Sequence, residues 1–216
     1  MRFIGNGGNL PRRVGGKLYC ADIRLVIGTR PEAIKLKPVA TALAERGMAP
    51  ALVFTGQHPA LEQAEFGFDD FPRISLHCPG KEDPHAHVRA VTATLLPLLT
   101  DPPDLLIVQG GTSSALGAAL AAFIADTPVA HVEAGLRTHD PMLPWPEEEY
   151  RCAIDADAHL LFAPTERAAA NLRAEQAPGE IHLTGDTGIG DGRAGPRIAE
   201  IIDRWLKERS LTRRLA

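Results

Sequence analysis

DLLIVQGGTSSALGAALAAFIADTPVAHV, residues 104–132, reads as a strand, a turn, a helix and a second strand. Residues 104–108 give the clearest strand of the chain, a short aliphatic run that stops at Gln109-Gly110-Gly111. Thr112, Ser113 or Ser114 then serves as N-cap, because a hydroxyl there accepts a backbone N–H that the first helical turn leaves unpaired. An Ala/Leu-rich helix follows to about Ala125, and residues 128–132 (PVAHV) return as the next strand. Strand, helix and strand joined by short turns argue a parallel pair with a right-handed crossover, covered on both faces.

The same alternation extends in both directions. Upstream, residues 23–27 (IRLVI) form a β-branched run ending at Gly28-Thr29-Arg30. Pro31 suits a first helical position, Glu32 its first turn, and Ile34, Val39, Leu43 and Ala44 keep helical spacing toward a C-cap at Gly47. Residues 51–54 are a strand ending in Thr55-Gly56-Gln57-His58, followed by a helix carrying Leu61, Ala64 and Phe66. Residues 74–76 are a weaker strand. The stretch LHCPGKEDPHAH (76–87), with Asp83, His85 and His87, reads as a solvated loop leading to a helix over 88–99. Downstream, a helix over 147–155, a strand over 159–162, a helix over 166–175 and a strand over 181–183 lead to a glycine-rich exit, 185–192, and an amphipathic helix over 196–208. The expected fold class is α/β: a doubly wound, mostly parallel, Rossmann-like sheet of about seven strands. Residues 1–20 read as a flexible extension, 21–192 as the domain, and 193–216 as a C-terminal helix and tail.

The 216 residues suit one large domain, and an apolar fraction of 44% supports a sizeable core. A net charge of -4, from 23 basic and 27 acidic residues, gives no electrostatic case for nucleic acid or an anionic membrane. Three widely spaced cysteines make neither a disulfide framework nor a metal-ligand pattern, so no metal is expected and a reduced cytoplasmic setting is the simplest reading. No apolar run approaches the roughly 20 residues of a membrane span.

In such a sheet, ligands bind outside the carboxyl ends of the strands. Gly28-Thr29-Arg30 puts free N–H groups and a guanidinium fork there, which suits an anion, or simply makes a tight turn. It is not GxGxxG, so no dinucleotide cofactor is implied. Gln57 and His58 end the next strand and offer hydrogen bonds to a sugar or base, or cap the turn. Gly110-Gly111-Thr112-Ser113-Ser114 is an anion nest or an N-cap. The strongest signal is HVEAGLRTHDPMLPWPEEEYR (131–151). Glu133 ends a strand before Gly135, Arg137 follows, and Glu147 and Arg151 share a helix face at i,i+4 beyond a stiff Pro-Trp-Pro turn. Carboxylates held near arginines suit proton transfer beside an anionic leaving group, against the plainer alternative of a surface ion pair.

Seven segments in order carry a family resemblance: GTRPEAIKLKPV (28–39), GQH (56–58), VQGGTSS (108–114), HVEAGLRT (131–138), PWPEEEYR (144–151), APTERAAANL (163–172) and LTGDTGIGD (183–191). Together they resemble the non-hydrolysing UDP-N-acetylglucosamine 2-epimerases. The resemblance implies half of a glycosyltransferase-B-type fold, with the site in a cleft between two Rossmann-like domains. It implies interconversion of UDP-GlcNAc and UDP-ManNAc by elimination and re-addition of UDP, without a cofactor. By the same resemblance Glu133, Glu147 and Arg151 are catalytic, Arg30, Lys35 and Arg137 bind substrate, and Gln57 and His58 belong to a regulatory nucleotide-sugar motif.

The chain departs from the family pattern at four places. Gly111 stands where the family has an acid/base aspartate, a group typically worth about 10²–10⁴-fold in rate. Tyr150 replaces an asparagine, and Ala60 departs from the regulatory motif. The second domain is expected to be absent. The expected partners are UDP-GlcNAc or UDP, with a homodimer or a separate C-terminal half covering the cleft face. Two alternatives stand beside an epimerase, impaired as a lone chain: a non-catalytic nucleotide-sugar-binding module, and one subunit of a split enzyme.

Overall fold

Strand β3 (Ile23–Ile27) shows how the sheet is built. In a strand, successive side chains point to opposite faces; here Ile23, Leu25 and Ile27 enter one core and Val26 the other. Both faces are covered, and Arg24, on the Val26 side, is held by Asp22 at 2.8 Å at the start of the strand. The computed structural model describes residues 12–14, 17–19, 21–48, 50–63, 66–140 and 142–215. Within the first twenty residues, expected to be a flexible extension, it describes β1 (Arg12–Val14) and β2 (Lys17–Tyr19), paired antiparallel, and the rest of that expectation lies outside the described residues.

The remaining elements follow as α1 (Arg30–Glu45), β4 (Ala51–Phe54), β5 (Arg73–Ser75), α2 (Pro84–Leu95), β6 (Leu105–Gln109), α3 (Ser113–Ile124), β7 (Val129–Val132), α4 (Glu147–Asp155), β8 (Leu160–Ala163), α5 (Glu166–Ala174), β9 (Glu180–Leu183) and α6 (Ala194–Leu215). Seven strands pair in the order β5-β4-β3-β6-β7-β8-β9, every pair parallel. The expected doubly wound, Rossmann-like α/β fold is what the chain adopts.

Right-handed crossovers assign the helices to faces. From β3 the chain winds outward to β4, placing α1 on one face. From β6 it winds the other way, placing α3, α4 and α5 on the opposite face. Accordingly Leu36, Val39, Ala40 and Leu43 of α1 pack with Leu25, Ile107 and Phe162. Val91 and Leu95 of α2, Ala118 and Ala122 of α3, Ile154 of α4 and Leu172 of α5 pack with Val26, Val108 and Leu161. The long α6 folds back beside α1, burying Ile198, Ile202, Trp205 and Leu206. Gly195 lets it begin there, since a Cβ at that position would lie 2.6 Å from the Pro38 carbonyl oxygen.

Several bounds differ from the sequence reading, each for a local reason. The helix expected at 88–99 starts at Pro84, because Asp83 caps it through His85 N–H at 2.9 Å. Its last turn tightens into a 3₁₀ turn, Leu96–Leu99, where Pro97 has no N–H to donate. His85 and His87 therefore stand on a helix, not in a solvated loop. His87 is buried, its ring between Ser113 Oγ at 2.6 Å and the Cys78 carbonyl at 3.0 Å. The helix expected after β4 is a 3₁₀ turn, Pro59–Gln63, with Ala64 outside the described residues. The final helix runs past 196–208 in both directions.

Strand order reverses between β3 and β6, so the ends of these two strands bound the crevice where open α/β sheets bind ligands.

Candidate functional site

At the crevice the exits of β3 and β6 are tied by one carboxylate. Glu32, in the first turn of α1, is buried and accepts from Gly28 N–H and Thr29 N–H at 2.7 Å each and from Thr112 Oγ at 2.5 Å. Burial raises its pKa, against the pull of those hydrogen bonds. Thr112 in turn caps α3, accepting from Ala115 N–H at 3.0 Å. The hydroxyl-rich turn is thus an N-cap. Beside it, Thr55 and Ser114 hydroxyls meet at 2.8 Å, directly above Gly28. A Cβ on Gly28 would fall 1.9 Å from Ser114 Oγ, so only glycine permits that contact.

Ser114 also donates to the Gln57 side-chain oxygen at 2.7 Å, fixing that amide at the edge of the crevice. His58 donates its N–H to the Gly28 carbonyl at 3.2 Å and leaves its exposed ring at the rim. Arg30, first residue of α1, is likewise exposed at this edge.

The adjacent exit, from β7, carries Glu133. Its backbone has φ 64°, a left-handed conformation that costs a side-chain-bearing residue on the order of 1–3 kcal/mol and is held by its surroundings. Those surroundings are specific. Gly110 N–H donates to the Val132 carbonyl at 3.1 Å, and Ala134 N–H to the Phe162 carbonyl at 3.2 Å, pinning both sides of the turn. The Glu133 carboxylate accepts from Gln109 Nε2 on one oxygen and from Lys35 Nζ on the other. Lys35 reaches over from α1 and is shared with Asp186, whose two carboxylate oxygens lie 2.9 and 2.8 Å away. The three charged side chains are 23%, 12% and 25% exposed for Lys35, Glu133 and Asp186, so the cluster is screened from bulk water yet open to the crevice. Burial works against the Lys35 ammonium, but its hydrogen bonds to Asp186 and Glu133 outweigh that and raise its pKa above the ordinary lysine value.

The other expected site residues stand on α4. Arg151 pairs with Glu147 at 3.3 Å, and more tightly with Glu148 at 2.9 Å. Glu148 is the buried partner, also accepting from Thr138 and His139 N–H at 2.8 and 3.0 Å, while the Glu147 side chain is 50% exposed. Glu148 is therefore what orients Arg151, and Glu147 projects from the first turn. Gly111 lies directly against this turn: a Cβ there would sit 2.4 Å from the Glu147 carbonyl oxygen and 2.9 Å from Arg151 Cγ. Tyr150 turns inward, fully buried, with its hydroxyl 3.0 Å from His85 Nδ1.

Arg137 is not gathered with these groups. Its side chain is 2% exposed and paired with Asp155 at 2.8 Å and Glu175 at 2.6 Å, a well-paired structural position in this fold. Asp155 also meets His131 Nδ1 at 2.6 Å and Gly135 N–H at 3.0 Å, locking the strand that delivers Glu133 to the helix that delivers Arg151. Asp186, Gln109, Glu32 and Glu148 were not singled out from the sequence as site residues. Thr29-x-x-Glu32 is a capping-box pattern that marks Glu32, and Glu148 has a local signature in its i,i+3 spacing to Arg151; the Asp186–Lys35 and Gln109–Glu133 contacts cross between elements and have none.

Comparisons with known proteins agree with this fold. A family model described as UDP-N-acetylglucosamine 2-epimerase matches residues 41–211. The UDP-N-acetylglucosamine 2-epimerase of Salmonella typhimurium is 39% identical over 197 residues, covering 87% of this chain and 48% of that protein. The Escherichia coli K12 enzyme of that name is 41% identical over 172 residues, covering 76% and 45%. Among solved structures, the UDP-GlcNAc 2-epimerase of Neisseria meningitidis bound to UDP-GlcNAc aligns with TM-score 0.71 and 33% identity, over 78% of this chain and 47% of that one. The Methanocaldococcus jannaschii UDP-GlcNAc 2-epimerase in complex with UDP-GlcNAc and UDP aligns with TM-score 0.69 and 34% identity, over 77% and 47%. The chain spans about half the length of the relatives it matches. With more than half of its residues matched by that family model, the chain belongs to the UDP-N-acetylglucosamine 2-epimerase family.

Proposed function

We propose that the chain supplies one wall of a UDP-GlcNAc 2-epimerase site, in which the C2 proton is removed, UDP departs from C1, and a 2-acetamidoglucal accepts both back with C2 inverted. The observation that carries this reading is Glu133, held at φ 64° with its carboxylate between Lys35 and Gln109 at the crevice. A screened carboxylate with fixed partners suits proton transfer at carbon, and the neighbouring ammonium favours the charge that develops when a diphosphate leaves. Glu147, half exposed on α4, is the second proton-transfer group in this reading, and Arg151 and Arg30 face the anionic diphosphate. Gln57 and His58, at the rim, are assigned to a second nucleotide-sugar contact. Arg137 contributes by holding Asp155. Two relatives are named in solved complexes with UDP-GlcNAc, which supports the substrate class. The opposite wall is proposed to come from a second Rossmann-like half, since the matches span 45–48% of the relatives.

A second reading, a nucleotide-sugar-binding module without turnover, is favoured by Gly111, where the family pattern has an acid/base aspartate. The two are separated by incubating the chain with UDP-GlcNAc in deuterated water, alone and with a separately expressed C-terminal half of a relative. Deuterium at C2 or UDP-ManNAc supports the epimerase. Saturable UDP-GlcNAc binding with neither signal in both mixtures supports the module, and no binding at all refutes both.

A further inference from the structure

Asp186 belongs to the turn after β9 and has no catalytic or binding assignment in the epimerase reading. It reaches back to the crevice, and two features show that the turn is built to do this. Its Oδ1 accepts the N–H groups of Gly188 and Ile189 at 2.7 and 3.0 Å, which fixes the carboxylate on its own loop. Gly188 then leaves room for the lysine stem: a Cβ there would lie 2.9 Å from Lys35 Cε. With both oxygens on Lys35 Nζ, Asp186 restrains an otherwise flexible four-carbon side chain whose ammonium also meets Glu133. Among the described residues, the charged groups facing the ammonium are these two carboxylates, one from the exit of β7 and one from the exit of β9.

We infer that Asp186 is a positioning residue, holding Lys35 against Glu133 so that the ammonium stays at the crevice while the Glu133 carboxylate exchanges a proton. This rests on the epimerase reading for its catalytic consequence, but not for its structural one. Asp186 is not a substitute for the carboxylate missing at 111. Both its oxygens are engaged by Lys35, and Oδ1 also by the Gly188 and Ile189 N–H groups; burial opposes its charge, but these contacts hold its pKa below the ordinary aspartate range.

The test is Asp186→Asn, which keeps an oxygen for the Gly188 and Ile189 N–H groups and removes the charge, read by ¹⁵N NMR of the lysine side-chain amines in the full chain. Asp191→Asn is the control. It perturbs the same exit loop through the Arg193 and Arg197 contacts but does not touch Lys35. The Lys35 titration is expected to fall toward the ordinary lysine value in Asp186→Asn, its ammonium proton exchange to quicken, and neither to change in Asp191→Asn. Asp186→Glu recovers part of the effect. An unchanged Lys35 signal in Asp186→Asn, or an equal change in the control, overturns it. If the wild-type chain exchanges the C2 proton, Asp186→Asn lowers kcat by up to roughly 10²-fold, the scale of a misplaced catalytic group, with little change in KM. Unaltered kcat overturns the catalytic part. Absence of exchange in wild type counts against the epimerase reading alone, because the Lys35 signal still reports on Asp186.

Discussion

A side chain at 111 and the first turn of α4 compete for the same space, since a Cβ there would stand 2.4 Å from the Glu147 carbonyl oxygen. Gly111→Asp, which restores the family pattern, therefore has to push that turn away from β6. Overpacking of this kind costs about 1–3 kcal/mol. The expected outcome is a lower denaturation midpoint and no gain in C2 exchange. A variant as stable as wild type with higher exchange would show that α4 yields freely and that the missing carboxylate alone limits the site. At this scale the sequence was readable where chemistry is local. Glu133 stood out by its strand-end position, and Thr29-x-x-Glu32 is a cap written in four residues. Asp186 was not readable as a partner of Lys35, because 151 residues separate them and only the return of β9 to the sheet brings them together. His87 was misread for the opposite reason. Asp83-Pro84 is a helix start, but the flanking charges made the stretch look solvated.

Among the elements, β7 and α4 are joined through Asp155, which binds His131, Gly135 N–H and Arg137 while only 2% exposed. Burial pushes its pKa up, but the neighbouring His131 and Arg137 outweigh that, so the folded value lies below the ordinary 3.8. A carboxylate depressed on folding contributes stability that is present above the unfolded value. That contribution is lost as pH falls below about 3.8 through the lower folded value. Asp155→Asn is thus expected to cost about 3–5 kcal/mol at neutral pH, as breaking a buried pair does. The gap to wild type should narrow in urea melts taken at successively lower pH below that value. A penalty independent of pH would mean that packing, and not charge, ties the two elements together. The strands and α4 were legible from runs of aliphatic residues and from Pro146 with three glutamates at a helix start. The reach of α2 and α6 was not, because caps and tertiary cover set their ends.

For the whole molecule, winding in two directions from β3 and β6 puts the strand exits of both halves at one edge, and α6 returns to seal the α1 face. Trp205 is the largest side chain that α6 buries, 7% exposed and edge-on to His159 at 6.3 Å. Trp205→Ala is expected to cost about 3–5 kcal/mol by denaturant unfolding. Leu211→Ala, at a 52% exposed position of the same helix, is expected to stay within about 0.5 kcal/mol. Equal effects would mean that α6 packs as a loose appendage. The doubly wound class was legible from alternation, since crossover handedness leaves few topologies for such a pattern, while the strand order was not.

Glu133 is the group proposed to move the C2 proton. The most direct test of that role is ¹H NMR of UDP-GlcNAc in deuterated water with the chain and a complementing C-terminal half, comparing wild type with Glu133→Gln. The expected result is loss of the C2 proton signal in wild type and none in Glu133→Gln, with both proteins equally folded by circular dichroism. Equal exchange in the two would contradict it.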